Sequence, residues 1–138
     1  TVGGDGNLLF NVGPMPDGRI APEQAGRLRE MGAWLDTYGE SIYATRGGPF
    51  MPGEWGVSTC KGDTIYVHVF DWGDGPLVLP PVGSMIVNAT ALTGGAVTMT
   101  QSAENITLDV PEADRQDIDT IIALKIDGNA IEIAPVKP

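Results

Sequence analysis

The chain has 138 residues, 42% of them hydrophobic, enough for one ordinary domain or a small domain with an appendage. Its 18 acidic against 8 basic residues give a formal net charge of −10 with no Lys or Arg cluster, so nucleic-acid binding lacks its electrostatic basis. No apolar run approaches the ~20 residues that span a bilayer, and Cys60, the only cysteine, excludes an internal disulfide and a cysteine-based zinc site.

In chain order, Thr1 opens the sequence without a charged and apolar leader pattern, so the chain is expected to be an excerpt whose signal peptide is absent or removed upstream. Residues 1–20 are rich in Gly and Pro around Leu8-Leu9-Phe10-Asn11-Val12, which Gly6 and Gly13-Pro14 bound. A continuous apolar run between turn residues predicts a strand buried on both faces, as in a parallel sheet. Pro14 to Arg19 reads as a loop, with Pro16-Asp17-Gly18 its turn signal. Residues 21–39 predict a helix that starts at Pro22. Leu28, Met31, Leu35 and Tyr38 line one stripe widened by Trp34, and Gly39 is placed to end it as a left-handed cap. Strand, loop and helix make one βα unit, whose strand needs parallel neighbours that no other part of the sequence supplies.

From about Ile42 the signal turns to β, after a joint near Gly39 to Pro52. Gly56 to Cys60, a Lys61-Gly62-Asp63 turn and Thr64 to Phe70 predict a hairpin, with Ile65, Val67 and Val69 on one face and Tyr66, His68 and Phe70 on the other. Further strands are predicted at Leu77 to Leu79, Met85 to Leu92, Ala96 to Gln101, Ile106 to Val110, Thr120 to Ile126 and Ala130 to Ile133. Seven or eight short strands at this spacing imply an antiparallel sandwich or barrel.

Asp5-Gly6-Asn7-Leu8-Leu9-Phe10-Asn11-Val12-Gly13-Pro14, then Pro16-Asp17-Gly18-Arg19-Ile20, the helix, and Tyr43 with Thr45-Arg46-Gly47-Gly48-Pro49-Phe50 form an ordered series. It resembles the end of the catalytic domain of retaining α-L-fucosidases of the glycoside hydrolase family 29 type. There a GNLLLN-type strand closes a (β/α) barrel, a GP-x-x-DG-x-I loop follows, and a helix ending in GE-x-IYGTR leads out. Gly39-Glu40-Ser41-Ile42-Tyr43-Ala44-Thr45-Arg46 matches that exit, with Ala44 where the family usually has Gly. The likeness continues through Trp55 to Thr59 and Lys61 to Tyr66.

The resemblance implies a mainly β fold: an antiparallel β-sandwich over 47–138, preceded by a strand-loop-helix unit over 1–46 left from a barrel. It implies a parent enzyme that releases terminal L-fucose from glycans with retention, through a covalent glycosyl-enzyme. It also implies an extracytoplasmic or lysosome-like compartment, and no cofactor or metal is expected. Such chemistry needs two carboxyl groups about 5–5.5 Å apart. In the family these lie on earlier barrel strands, and no WFDG-like nucleophile strand occurs in this sequence. Asp5 and Asp17 flank the predicted strand from opposite ends and do not make the pair. The 138 residues are therefore expected to be inactive alone. Their partners are the barrel, fucosylated glycans through the parent enzyme, and a second copy through the uncovered βα unit.

Asn11, at the C-terminal end of a barrel-type strand, is the candidate for a substrate-contacting role, against an Asn that bonds its own loop. Trp55 and Trp72 are candidates for sugar stacking on the sandwich, against core packing. His68 reads as a packed histidine and Cys60 as a small buried hydrophobe. Asn88-Ala89-Thr90 and Asn105-Ile106-Thr107 are glycosylation triplets by pattern only. Two other readings stay open: a carbohydrate-binding or purely structural sandwich module, and an unrelated protein with the first strand paired inside the sandwich.

Overall fold

Alternating side chains send Ile65, Val67 and Val69 to one face of their strand and Tyr66 and His68 to the other. In the computed structural model, which describes residues 1–137, that strand sits at the centre of an antiparallel sheet. The strands are β1 (Arg46–Gly47), β2 (Gly56–Lys61), β3 (Thr64–Val69), β4 (Leu77–Leu79), β5 (Ile86–Ala91), β6 (Thr98–Gln101), β7 (Ile106–Asp109) and β8 (Thr120–Ile126). They form a five-stranded sheet in the order β1-β2-β3-β8-β5 and a three-stranded sheet in the order β4-β7-β6. The expected hairpin is present, with Lys61 opposite Thr64 across a two-residue turn.

Between the sheets lies the core. Ile65, Val67 and Val69 from β3 and Ile122, Leu124 and Ile126 from β8 meet Leu77 and Leu79 of β4 and Ile106 and Leu108 of β7, all buried. Phe50 joins this core and is fully buried. Its backbone is fastened to β2, because Phe50 N donates to Ser58 Oγ at 3.0 Å and that hydroxyl donates to Phe50 O at 2.8 Å. Cys60 is buried on the same inner face, as its small apolar character predicts.

The helix α1 spans Pro22–Tyr38, with Pro22 at the first helical position, where its missing N–H costs nothing. Its stripe is covered only in part: Met31, Trp34, Leu35 and Tyr38 are half-buried, Leu28 is 38% exposed, and no residue of α1 is fully buried. Gly39 does not act as a left-handed cap: its φ is −61° and it opens a 3₁₀ turn over Gly39–Ser41. A Cβ on Gly39 would lie 2.7 Å from the Tyr43 ring, so the glycine answers to close packing.

Two predicted strands do not form. The Leu8 to Val12 run has no ladder partner, and Leu8, Leu9 and Phe10 are 60%, 89% and 50% exposed. A buried parallel-type strand needs neighbours on both edges, and among the described residues no such neighbour is present. Ala130 to Ile133 instead forms a 3₁₀ turn over Ala130–Glu132, started by the Asn129 side chain, which accepts from Ile131 N. β8 already has β3 and β5 on its two edges, so the segment after it finds no free edge beside it.

Candidate functional site

Four residues of the ordered motifs, Asp5, Arg46, Gly47 and Gly48, meet where the N-terminal turn packs on β1 and β2. Val2–Gly4 make a 3₁₀ turn closed by Asp5, which takes a left-handed conformation with φ of 60°. That conformation suits Asp better than most residues. It aims the carboxylate at β1, where Arg46 donates through Nε to Asp5 Oδ1 at 2.7 Å and through Nη2 to Oδ2. Gly47 N adds a third bond, to Oδ1 at 3.1 Å. These bonds hold the Asp5 carboxyl far below its ordinary titration range, the Arg46 fork first and the Gly47 amide second.

The same contact explains the paired glycines. A Cβ on Gly47 would meet Gly3 O at 2.9 Å and Asp5 N at 3.1 Å, and one on Gly48 would meet Ser58 Oγ at 2.4 Å. Gly3 is buried against Val57, where a Cβ of its own would lie 2.7 Å from the Val57 Cβ. Backbone therefore packs directly on backbone, and the Thr-Arg-Gly-Gly segment acts as a joint.

Asp17, the other carboxylate flanking the first apolar run, is held by Arg19, whose Nε donates at 2.8 Å and whose backbone N donates at 3.1 Å. The Arg19 side chain, then its amide, lowers the Asp17 titration point. Both aspartates are thus committed to arginines in different places. Among the described residues no group of three or more His, Cys, Asp or Glu side chains is placed to hold a metal ion.

On the outer face of the large sheet lies a second polar cluster that sequence reasoning found only by half. His68 is buried as expected, and its Nδ1 lies 2.8 Å from Oδ2 of Asp119, which is also buried. Its Nε2 is 3.5 Å from Thr59 Oγ1, whose hydroxyl donates to Ser41 O at 2.6 Å. Carboxylate, imidazole and hydroxyl stand in the order used for nucleophilic catalysis. Here the hydroxyl proton is already given to Ser41 O and all three side chains are sealed from solvent, so the cluster fastens the 39–41 turn to β2 and β3. Asp119 lies 51 residues from His68 and could be paired with it only through the register of β3 and β8.

The three sequence-stated candidates are not gathered into one site. Asn11 is exposed and shares no hydrogen bond with either tryptophan. Trp72 is half-buried against the core, its indole N–H donating to Thr120 Oγ1 at 3.4 Å. One of its faces is occupied by the Arg115 guanidinium, 4.3 Å from the ring centre. Trp55 is half-buried too, with its indole nitrogen enclosed and unpartnered, and it borders a shallow groove with Met51, Glu54 and Lys137.

Comparison with known proteins places these features. The family model described as Alpha-L-fucosidase matches residues 1–40. An alpha-L-fucosidase of Branchiostoma floridae is 38% identical over 124 residues, covering 82% of this chain and 27% of that protein. The human plasma alpha-L-fucosidase is 39% identical over 77 residues, 52% of this chain and 16% of its own length. Among solved structures, alpha-L-fucosidase isoenzyme 1 from Paenibacillus thiaminolyticus superposes with a TM-score of 0.81 at 32% identity, over 91% of this chain and 32% of that one. A Bacteroides thetaiotaomicron GH29 enzyme trapped as a covalent intermediate gives 0.74 at 29% identity, over 86% and 28%. The chain spans about a third or less of each of these relatives.

Proposed function

From the premise that this chain is a C-terminal part of an α-L-fucosidase of the GH29 type, we propose that it completes the enzyme without carrying its chemistry. In this reading the parent removes terminal L-fucose from glycans with retention. Residues 1–46 supply the last strand-loop-helix unit of its barrel and the exit segment that runs into β1 at Arg46, and the sandwich packs beside it. The nucleophile and the acid/base belong to barrel strands outside these 138 residues, and Asn11 is the residue of this chain nearest to substrate.

One observation carries this reading: the uncovered βα unit. Leu8, Leu9 and Phe10 are exposed although they form the most apolar run of the N-terminal segment, and α1 buries no residue. Apolar surface of this kind needs a cover, and a catalytic barrel is the cover that fits a parallel-type strand followed by a helix. In its absence a second copy is the expected substitute. The isolated chain should therefore bind a dye specific for exposed apolar surface and sediment partly as dimer or larger, whereas the full-length enzyme should do neither through this face. A monomeric, dye-silent isolated chain would remove the support.

No described helix is long and apolar enough to cross a membrane. For the parent we propose an extracytoplasmic or lysosome-like location, supported by relatives named plasma and tissue alpha-L-fucosidases and checked by cell fractionation. A second reading, glycan binding by the sandwich, has Trp55 beside its groove in its favour. Saturable quenching of tryptophan fluorescence by fucose, lost in Trp55→Ala, would support it. A flat titration would leave Trp55 and Trp72 as packing residues.

A further inference from the structure

We propose that Asp5 and Arg46 are positioning residues of the enzyme, a pin through which the sandwich sets the place of the 6–13 segment and of Asn11 within it. This rests on the reading of the chain as part of a fucosidase. It goes beyond that reading by giving the sandwich a part in the reaction rather than only in stability.

The argument begins with the covalent layout. Asp5 immediately precedes the 6–13 segment, which on this reading becomes the closing strand once the barrel is present, whereas Arg46 lies 41 residues later, in the first strand of the sandwich. The helix and both loops lie between them, so the pin joins the two ends of the βα unit directly. A single exposed ion pair is worth little. This one differs in geometry: the guanidinium fork meets both carboxylate oxygens and Gly47 N bonds Oδ1 at 3.1 Å, so the contact fixes direction as well as distance.

The backbone around the pin leaves no slack. The turn before Asp5 is closed by Asp5 N donating to Val2 O at 2.8 Å and Gly6 N to Thr1 O at 3.0 Å. Gly3 of that turn is buried against β2, and Gly47 touches both Gly3 O and Asp5 N so closely that no Cβ fits. Turn and sheet are therefore joined by direct backbone packing as well as by the ion pair. From Asp5 to Asn11 the chain covers six residues, about 20 Å if extended. With that segment held as a strand in the full-length enzyme, a shift or tilt at the pin is carried along it toward Asn11. Displacements near 1 Å weaken the transition state more than the bound ground state, and so lower kcat more than they raise KM.

The test uses the full-length enzyme, with Asp5→Asn, Arg46→Gln and the two together, and an aryl α-L-fucoside as substrate. Asn tolerates the left-handed conformation at position 5, so the first variant removes charge and fork geometry without straining the turn. The expected result is a kcat lowered about tenfold in each single variant with KM nearly unmoved, and no further loss in the double variant, because both changes break one interaction. Hydrogen exchange should quicken at residues 2–13 and Gly47 and stay unchanged in β3 and β8. Unchanged kcat in both single variants, or equal slowing by any sandwich substitution of matched stability loss, would overturn the proposal. If the unaltered enzyme turns over no fucoside, the fucosidase reading fails and the catalytic role falls with it. Altered exchange in that case would leave only a structural fastening.

Discussion

Ala44 has φ of 58°, a left-handed conformation in which a Cβ crowds the following carbonyl at a cost of about 1–2 kcal/mol. The family resemblance puts Gly at this place, and the backbone gives the reason. Ala44→Gly is predicted to stabilise the chain by about 1 kcal/mol, after the extra chain entropy of Gly is set against the relieved strain. Equilibrium denaturation with an unchanged slope is the measurement, and a destabilised variant would contradict the assignment. At this scale the sequence was partly legible. Asp5, Arg46 and the paired glycines stood out as motif residues, but their joint could not be seen, because a contact over 41 positions depends on where the sandwich places β1. Asp119 carried no signal at all. A single Asp before a strand is ordinary, and only the pairing of β3 with β8 brings it to His68.

At the scale of elements, periodicity was a sound guide wherever the partner lies within the chain. The β2–β3 hairpin and β8 formed where alternation predicted them, since each finds a neighbour to pair with and a facing sheet to bury its apolar side. Leu8 to Val12 satisfied the local pattern and formed no strand, because a strand is a property of a pair. Ala130 to Ile133 failed for the related reason that β8 has no free edge. α1 formed with its stripe only half-covered and none of its residues fully buried. This difference predicts a contrast in the isolated chain: Leu124→Ala, in the sealed core, should cost about 2–5 kcal/mol, whereas Leu28→Ala, at an exposed position of α1, should cost under about 1 kcal/mol. Equal costs would mean that Leu28 is packed as tightly as the core.

For the whole molecule, the division is between a sandwich that closes its own core and a βα unit that does not. The five- and three-stranded sheets bury their apolar faces against each other, while residues 8–10 are exposed and the helix stripe is only half-covered. The motif series was readable in one dimension because it follows chain order. What could not be read was that four of its letters are joint residues: Asp5 and Arg46 grip each other, Gly47 and Gly48 allow close approach, and neither flanking aspartate is free for acid/base work. The most direct test is to assay the isolated 138-residue polypeptide and the full-length enzyme side by side on p-nitrophenyl α-L-fucoside. The account predicts turnover by the full-length enzyme and none by the isolated chain. Turnover by the isolated chain that disappears when one of its own carboxylates is changed to the amide would contradict it.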